Sequence, residues 1–282
     1  MAFSPAIANA IAALFLDEAT RERMSRIDFR DAGHGYDAFG MHPSYVALGE
    51  VIVSPLYDRY FRVRSQGHEH LPATGPAIIA GNHSGNLPID GMMIWLDILR
   101  NTHPPRIARP IADHFVPSLP YLGTLFARGG MVGGSRGNAR TLLDSGEMLM
   151  IFPEGVPGIV KPWSKRYQLQ QFREGHAELA IRHQAPIVPV GVVGGEEQLP
   201  ALFSSRRLGK LVGVPIMPIP AVPVPLPVRY HLRYGEPIPI PEEFTPDQAD
   251  DPVVVRETAD RVKQAVADLI AAGLEERTGV FE

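Results

Sequence analysis

Apolar and polar positions follow two periodicities along this chain. Residues 76–80, 148–152 and 186–193 are short, nearly unbroken apolar runs, and they read as strands buried on both faces. Shorter strands are expected over 61–65, 106–111, 130–132 and 230–234. Between the runs, apolar residues recur at helical spacing. The stretch 88–100 places Met92, Ile94, Trp95 and Ile98 on one side, and 138–145, 175–183 and a short segment near 117–126 also read as helices. Strands alternating with helices imply βαβ units, hence an α/β single domain with a mostly parallel central sheet flanked by helices.

The flanks read differently. Residues 4–27 predict a helix with Ile7, Ile11, Leu14 and Phe15 on one side. A second helix over 44–61 carries Ile52, Val53, Leu56, Tyr57, Tyr60 and Phe61 at helical spacing, opposite Glu50, Asp58, Arg59 and Arg62, with a kink at Pro55. Such a helix either packs on its own domain or lies on a bilayer with arginines at the headgroups. Residues 208–228 are apolar but proline-dense, which argues against a helix or a central strand and predicts an ordered loop. A helix over 251–272 and an acidic tail close the chain. The organisation expected is an N-terminal helical segment (1–60), an α/β core (61–240) and a C-terminal helix packed on it (241–282).

Composition adds boundaries. At 282 residues, 45% hydrophobic and 21% charged, the chain can bury one sizeable core. It has no cysteine, so thiolate catalysis, disulfides and cysteine metal sites are excluded. There is no uninterrupted run of eighteen apolar residues and no basic region ahead of an N-terminal apolar run, so neither a spanning helix nor a signal peptide is expected. The net charge of −4 is uneven. Residues 242–282 hold eleven acidic and four basic residues, a net of −7, which leaves +3 for the rest. That balance argues against general nucleic-acid binding.

The candidate chemistry starts at residues 77–91. An apolar strand breaks on Gly81 and Asn82, presents His83 in a loop of small residues with Ser84 beside it, and passes through Pro88 into a helix with Asp90 in its first turn. A histidine at the carboxyl end of a strand stands where open α/β sheets bind ligands. Asp90 could fold back to orient the imidazole, or simply complement the helix dipole. Three further stretches stand out. Gly130–Ala139 is a glycine-rich turn that places Arg136 at a helix start, suited to an anion. Ile151–Gly155 ends a strand in Phe152–Pro153–Glu154–Gly155. Residues 186–192 form a buried strand. His68 and His70, in a His-Glu-His step, read as solvated rather than as metal ligands; no metal site and no cofactor are expected.

Taken in order, Asn-His-Ser-Gly-x-Leu-Pro-x-Asp-Gly, the Gly/Arg turn, Phe-Pro-Glu-Gly and Pro-Ile-Val-Pro-Val resemble the glycerolipid and lysophospholipid acyltransferase family over roughly residues 60–240. The likeness is greatest to the branch of mono- and diacylglycerol acyltransferase-like proteins. The resemblance implies a glycerol-phosphate acyltransferase-like fold and a His83–Asp90 catalytic pair. It implies substrate contacts from Glu154, Gly155, Arg136, Ser84 and Arg173, the last within Phe172–Arg173–Glu174–Gly175. It also implies an acyl-CoA or acyl carrier protein co-substrate, a lipid hydroxyl acceptor, and a cytoplasmic enzyme peripheral on the membrane. Six residues separate His83 from Asp90 where the family's common form has four. The competing readings are a thioesterase or lipase, acylation of a non-glycerol alcohol, and a non-catalytic lipid-binding module. Ser84 lacks the Gly-x-Ser-x-Gly elbow of a serine nucleophile.

Overall fold

The run beginning at Ala77 becomes the middle strand of a seven-stranded sheet. The computed structural model describes residues 4–83, 87–211 and 213–282. The strands are β1 (Arg64–Gln66), β2 (Ala77–Gly81), β3 (Ala108–Ala112), β4 (Val132–Gly133), β5 (Met148–Ile151), β6 (Ile187–Val193) and, after the separate pair β7 (Ala201–Ser205) and β8 (Met217–Pro220), β9 (His231–Tyr234). Their order is β1-β9-β6-β2-β5-β3-β4. From β6 to β4 all neighbours are parallel; β9 runs antiparallel to β6 and carries β1 parallel to itself at the edge. Every residue of β2 and β6 is buried, because helices cover both faces of the sheet.

Alternation within β2 distributes its side chains. Ile79 belongs to one core cluster, with Val53, Met93, Ile94 and Val190, while Ile78 belongs to another, with Leu142, Ile181, Val262 and Ile270. The first set involves α3 (Pro43–Pro55) and α4 (Ile89–Asn101). The second involves α6 (Arg136–Asp144), α8 (Gly175–His183) and α12 (Pro252–Glu276). The remaining helices are short: α5 (Leu122–Arg128), α7 (Val156–Ile159), α9 (Gly195–Gln198), α10 (Arg206–Leu211) and α11 (Ile240–Glu243), with α1 (Pro5–Phe15) and α2 (Glu18–Ser25) at the N-terminus. The closing helix packs on the core, against β6 and α8.

Two local expectations need correction, and one choice between alternatives is resolved. Residues 4–27 are two helices, because Asp17 accepts the Thr20 amide at 2.7 Å and starts a new one. On α1 the buried residues are Ala8 and Ala12. These small side chains allow close approach to α3 and leave Ile7, Leu14 and Phe15 exposed. The helix over 44–61 packs on its own domain. After Pro55 it widens into a π-helical turn at Leu56–Tyr60 that carries Tyr57 and Phe61 into the core, so those two aromatics face no bilayer. Finally, 208–228 is not all loop. β8 pairs antiparallel with β7, and Pro218 and Pro220, two positions apart, put their missing N–H groups on the same edge of the strand.

Candidate active site

The histidine loop is built on two close approaches. Gly81 ends β2 where a Cβ would meet Val190 Cγ1 at 2.8 Å, so only glycine lets the strands come together there. Asn82, fully buried, extends the pairing with its side chain: its amide donates to the Val192 carbonyl at 3.0 Å and its Oδ1 accepts the Val192 amide at 2.7 Å. The next residue, His83, is therefore set on a fixed stem. Its Nδ1 lies 2.8 Å from Asp90 Oδ2, in the first turn of α4. Asp90 is fully buried and also accepts the Gly91 amide at 2.7 Å. The two readings of Asp90 converge, since one carboxylate both sits at the helix start and orients the imidazole. Phe152 stacks on the imidazole with centroids 4.3 Å apart and planes 13° from parallel.

Glu154 holds the loop from the other side. It is 1% exposed. Its Oε1 accepts the His83 backbone amide at 3.1 Å, and its Oε2 accepts the Gln170 amide at 2.7 Å and faces Lys161 Nζ at 3.4 Å. Lys161 Nζ in turn donates to Glu196 Oε1 at 2.8 Å, and Glu196 Oε2 accepts the Tyr167 amide. Two carboxylates thus share one buried ammonium. Burial pushes the Glu196 carboxyl above its ordinary value, with Lys161 opposing the shift. Lys161 and Glu196 were not singled out in the sequence. Glu196 lies 42 positions beyond Glu154, and only the crossover from β5 to β6 brings it back.

Beside His83 lies a cavity of about 250 Å³. Its walls include Tyr45 and Ile52 of α3, Trp95 of α4, Phe126 of α5, and Met131 and Phe152 from the sheet edge. Among the described residues that line it, the titratable side chains are His83, Asp113 and Tyr45, with no lysine or arginine. Gly49 also lines it, and the Trp95 ring approaches so closely that a Cβ at position 49 would meet Cη2 at 2.9 Å. An apolar cavity with one oriented histidine is suited to a lipid chain carrying a reactive carbonyl or hydroxyl.

The other residues singled out in the sequence fall in different places. Gly155 lines the cavity at φ +59°, with the Arg173 guanidinium about 3 Å from where its Cβ would stand. The Arg173 amide donates to the Pro153 carbonyl. Arg136 begins α6 after the N-cap Ser135, at the same carboxyl edge of the sheet, but it is exposed and is not part of the cavity wall. Ser84 lies outside the described residues. His68 is not simply solvated: its Nε2 contacts Ser65 Oγ at 2.9 Å and buried Asp97 at 3.3 Å. Among the described residues, no group of three or more His, Cys, Asp and Glu is placed to hold a metal ion.

A family model described as Acyltransferase matches residues 62–193. An uncharacterized protein of Mycobacterium tuberculosis is 35% identical over 262 residues, covering 88% of this chain and 72% of its own length. A "DGAT1/2-independent enzyme synthesizing storage lipids" from Bos taurus is 29% identical over 204 residues, 72% of this chain and 58% of that protein. The crystal structure of the 1-acyl-sn-glycerophosphate acyltransferase PlsC from Thermotoga maritima superposes with a TM-score of 0.57 at 17% identity, covering 98% of this chain and 100% of that one, and so shares the fold. With an α/β sheet of this order and its histidine at the carboxyl edge, the chain belongs to the acyltransferase family and is an acyltransferase.

Proposed function

We propose that the chain moves a fatty acyl group from an acyl thioester, acyl-CoA or acyl carrier protein, to a hydroxyl of a glycerolipid or related lipophilic alcohol. The observation that carries this reading is the His83–Asp90 pair at the wall of an apolar cavity. With Nδ1 held by Asp90, the other ring nitrogen is the one that takes the acceptor's proton. The hydroxyl oxygen attacks the thioester carbonyl, the C–O bond forms, the C–S bond breaks, and the imidazolium returns its proton to the leaving thiolate. No covalent acyl-enzyme is needed.

Among the described residues the cavity wall has no lysine or arginine, and the mammalian relatives are named for making storage lipids; both favour a neutral partial glyceride over a phosphorylated acceptor. Arg173, whose guanidinium lies about 3 Å from where a Gly155 Cβ would stand, is our candidate for meeting phosphate on the donor. The enzyme works peripherally on a membrane. No helix among the described residues is long and apolar enough to cross one, while Ile7, Leu14, Phe15, Ile52, Tyr121 and Leu122 stand exposed on α1, α3 and beside α5.

The test is a labelled acyl-CoA and acyl carrier protein assay across glycerol 3-phosphate, lysophosphatidate, monoacylglycerol, diacylglycerol and a long-chain alcohol. Ester formation with a partial glyceride is expected. Thiol release that no acceptor accelerates would replace this reading with a thioesterase. In the same assay Arg173→Ala is expected to raise the donor KM on either acceptor. Arg136→Ala, which alters an exposed side chain, is expected to leave a neutral acceptor unaffected.

A further inference from the structure

We propose that β7, α10 and β8 form a docking element for an anionic lipid surface, placed beside the catalytic cavity. The inference rests on four exposed apolar side chains within ten residues: Leu202 (66% exposed), Phe203 (57%), Leu208 (41%) and Leu211 (81%). Large apolar groups this exposed and this close together mark an interaction surface rather than scattered surface residues. Leu202 is the extra residue where the β7–β8 register shifts between Ala201 and Phe203, so the ribbon bulges where its apolar residues begin.

Charge identifies the partner. Arg206, Arg207 and Lys210 alternate with these side chains and are exposed. No aspartate or glutamate occurs between Glu197 and Glu236, so nothing acidic in the segment neutralises them. Cations beside protruding leucine and phenylalanine match an interface in which phosphates lie above hydrocarbon. An acidic protein would account for the cations but not for Leu211 and Leu202 standing free of the fold.

Position gives the element its use. Arg206, Pro215 and Ile216 line a groove shared with Val156 of α7, and Val156 also lines the catalytic cavity. Ser204 Oγ contacts the Val160 carbonyl at the end of the same turn. A surface bound by this element therefore adjoins the cavity's α7 wall. The purpose of the element rests on the lipid-acceptor reading above. Its binding does not, because it is measured without acyl transfer.

The experiment is co-sedimentation of the full chain with phosphatidylglycerol vesicles and with phosphatidylcholine vesicles. The wild type is expected to prefer phosphatidylglycerol and to lose that preference in high salt. Replacing Arg206, Arg207 and Lys210 together by alanine is expected to weaken phosphatidylglycerol binding about 100-fold, roughly fivefold per cation, and to abolish the preference. Leu202→Gln with Phe203→Gln and Leu211→Gln is expected to weaken binding to both vesicles. Turnover of a short-chain, water-soluble thioester and alcohol without vesicles is expected to stay at the wild-type level in both variants. Wild-type sedimentation by either variant would overturn the proposal. So would loss of the vesicle-free turnover, or a cationic variant that releases an acidic acyl carrier protein yet still binds phosphatidylglycerol.

Discussion

Helix α4 carries two fully buried aspartates, Asp90 and Asp97, seven residues apart, and each meets a histidine. At Asp90 the contact uses His83 Nδ1, the imidazole stacks on Phe152, and the ring borders the apolar cavity. At Asp97 the contact uses His68 Nε2, which also meets Ser65, and the carboxylate is further enclosed by Tyr57, Ser65 and Asn101. The first arrangement leaves a nitrogen for a substrate; the second uses the same chemistry to pin β1 and the turn at His68–His70 to α4. An Asp–His pair becomes a candidate site when the ring borders a space large enough for a reactant, and its oriented nitrogen alone is not sufficient.

The comparison breaks most sharply on the histidines. His83→Ala is expected to lower kcat/KM for acyl transfer by about 10²–10⁴-fold with an unchanged fold, the usual cost of losing a general base, while His68→Ala leaves turnover near wild type. Equal turnover in the two variants, in a labelled-acyl assay, would remove the distinction. Next in size is the clamp behind His83. Lys161→Met leaves Glu154 and Glu196 buried without their shared ammonium and is expected to cost about 3–5 kcal/mol in denaturant unfolding, the range for breaking a buried ion pair. Asp97 is instead paired with His68, and Asp97→Ala, which strands the Tyr57 and Ser65 donors, is expected to cost about 1–3 kcal/mol and to spare kcat.

The smallest effect is a pH dependence. The hydrogen bond to Asp97 raises the His68 pKa above its ordinary value, against the effect of burial. Because the folded state holds this proton more tightly than the unfolded state, the contribution is complete below pH ~6.5 and fades as pH rises through the folded value. The pair is partly solvated, so the gain is about 1 kcal/mol or less. The gap in melting temperature between wild type and His68→Gln should therefore be widest in mildly acidic buffer and close toward alkaline pH.

Much of this was legible in the sequence, for reasons that can be named. β2, β5 and β6 are buried on both faces, so their apolar runs are unbroken and easily read. His83 and Asp90 lie within one loop–helix step, where spacing constrains geometry. Glu154 could be found from Phe-Pro-Glu-Gly, but its engagement with the His83 amide could not, because that contact depends on how β2 and β5 align. Lys161 and Glu196 carry no local signal. Tyr57 and Phe61 were legible as an apolar face, but whether that face met the core or a bilayer was not, because helical spacing is blind to the π-helical turn that carries them inward. The β7–β8 pair was hidden by prolines that forbid a central strand but not a two-stranded ribbon.

The contact between Gly49 and Trp95 bears on how this enzyme would measure its substrates. The indole lies flush against the backbone of α3 because position 49 carries no side chain. Any larger residue there displaces the ring, and the open side is the cavity that both residues line. Gly49→Ala would thus shorten the space available to an acyl chain without touching His83, Asp90 or the clamp behind them. Chain-length selectivity could drift through a position on a helix that takes no part in the chemistry, leaving the rate on short chains intact while long ones are turned away.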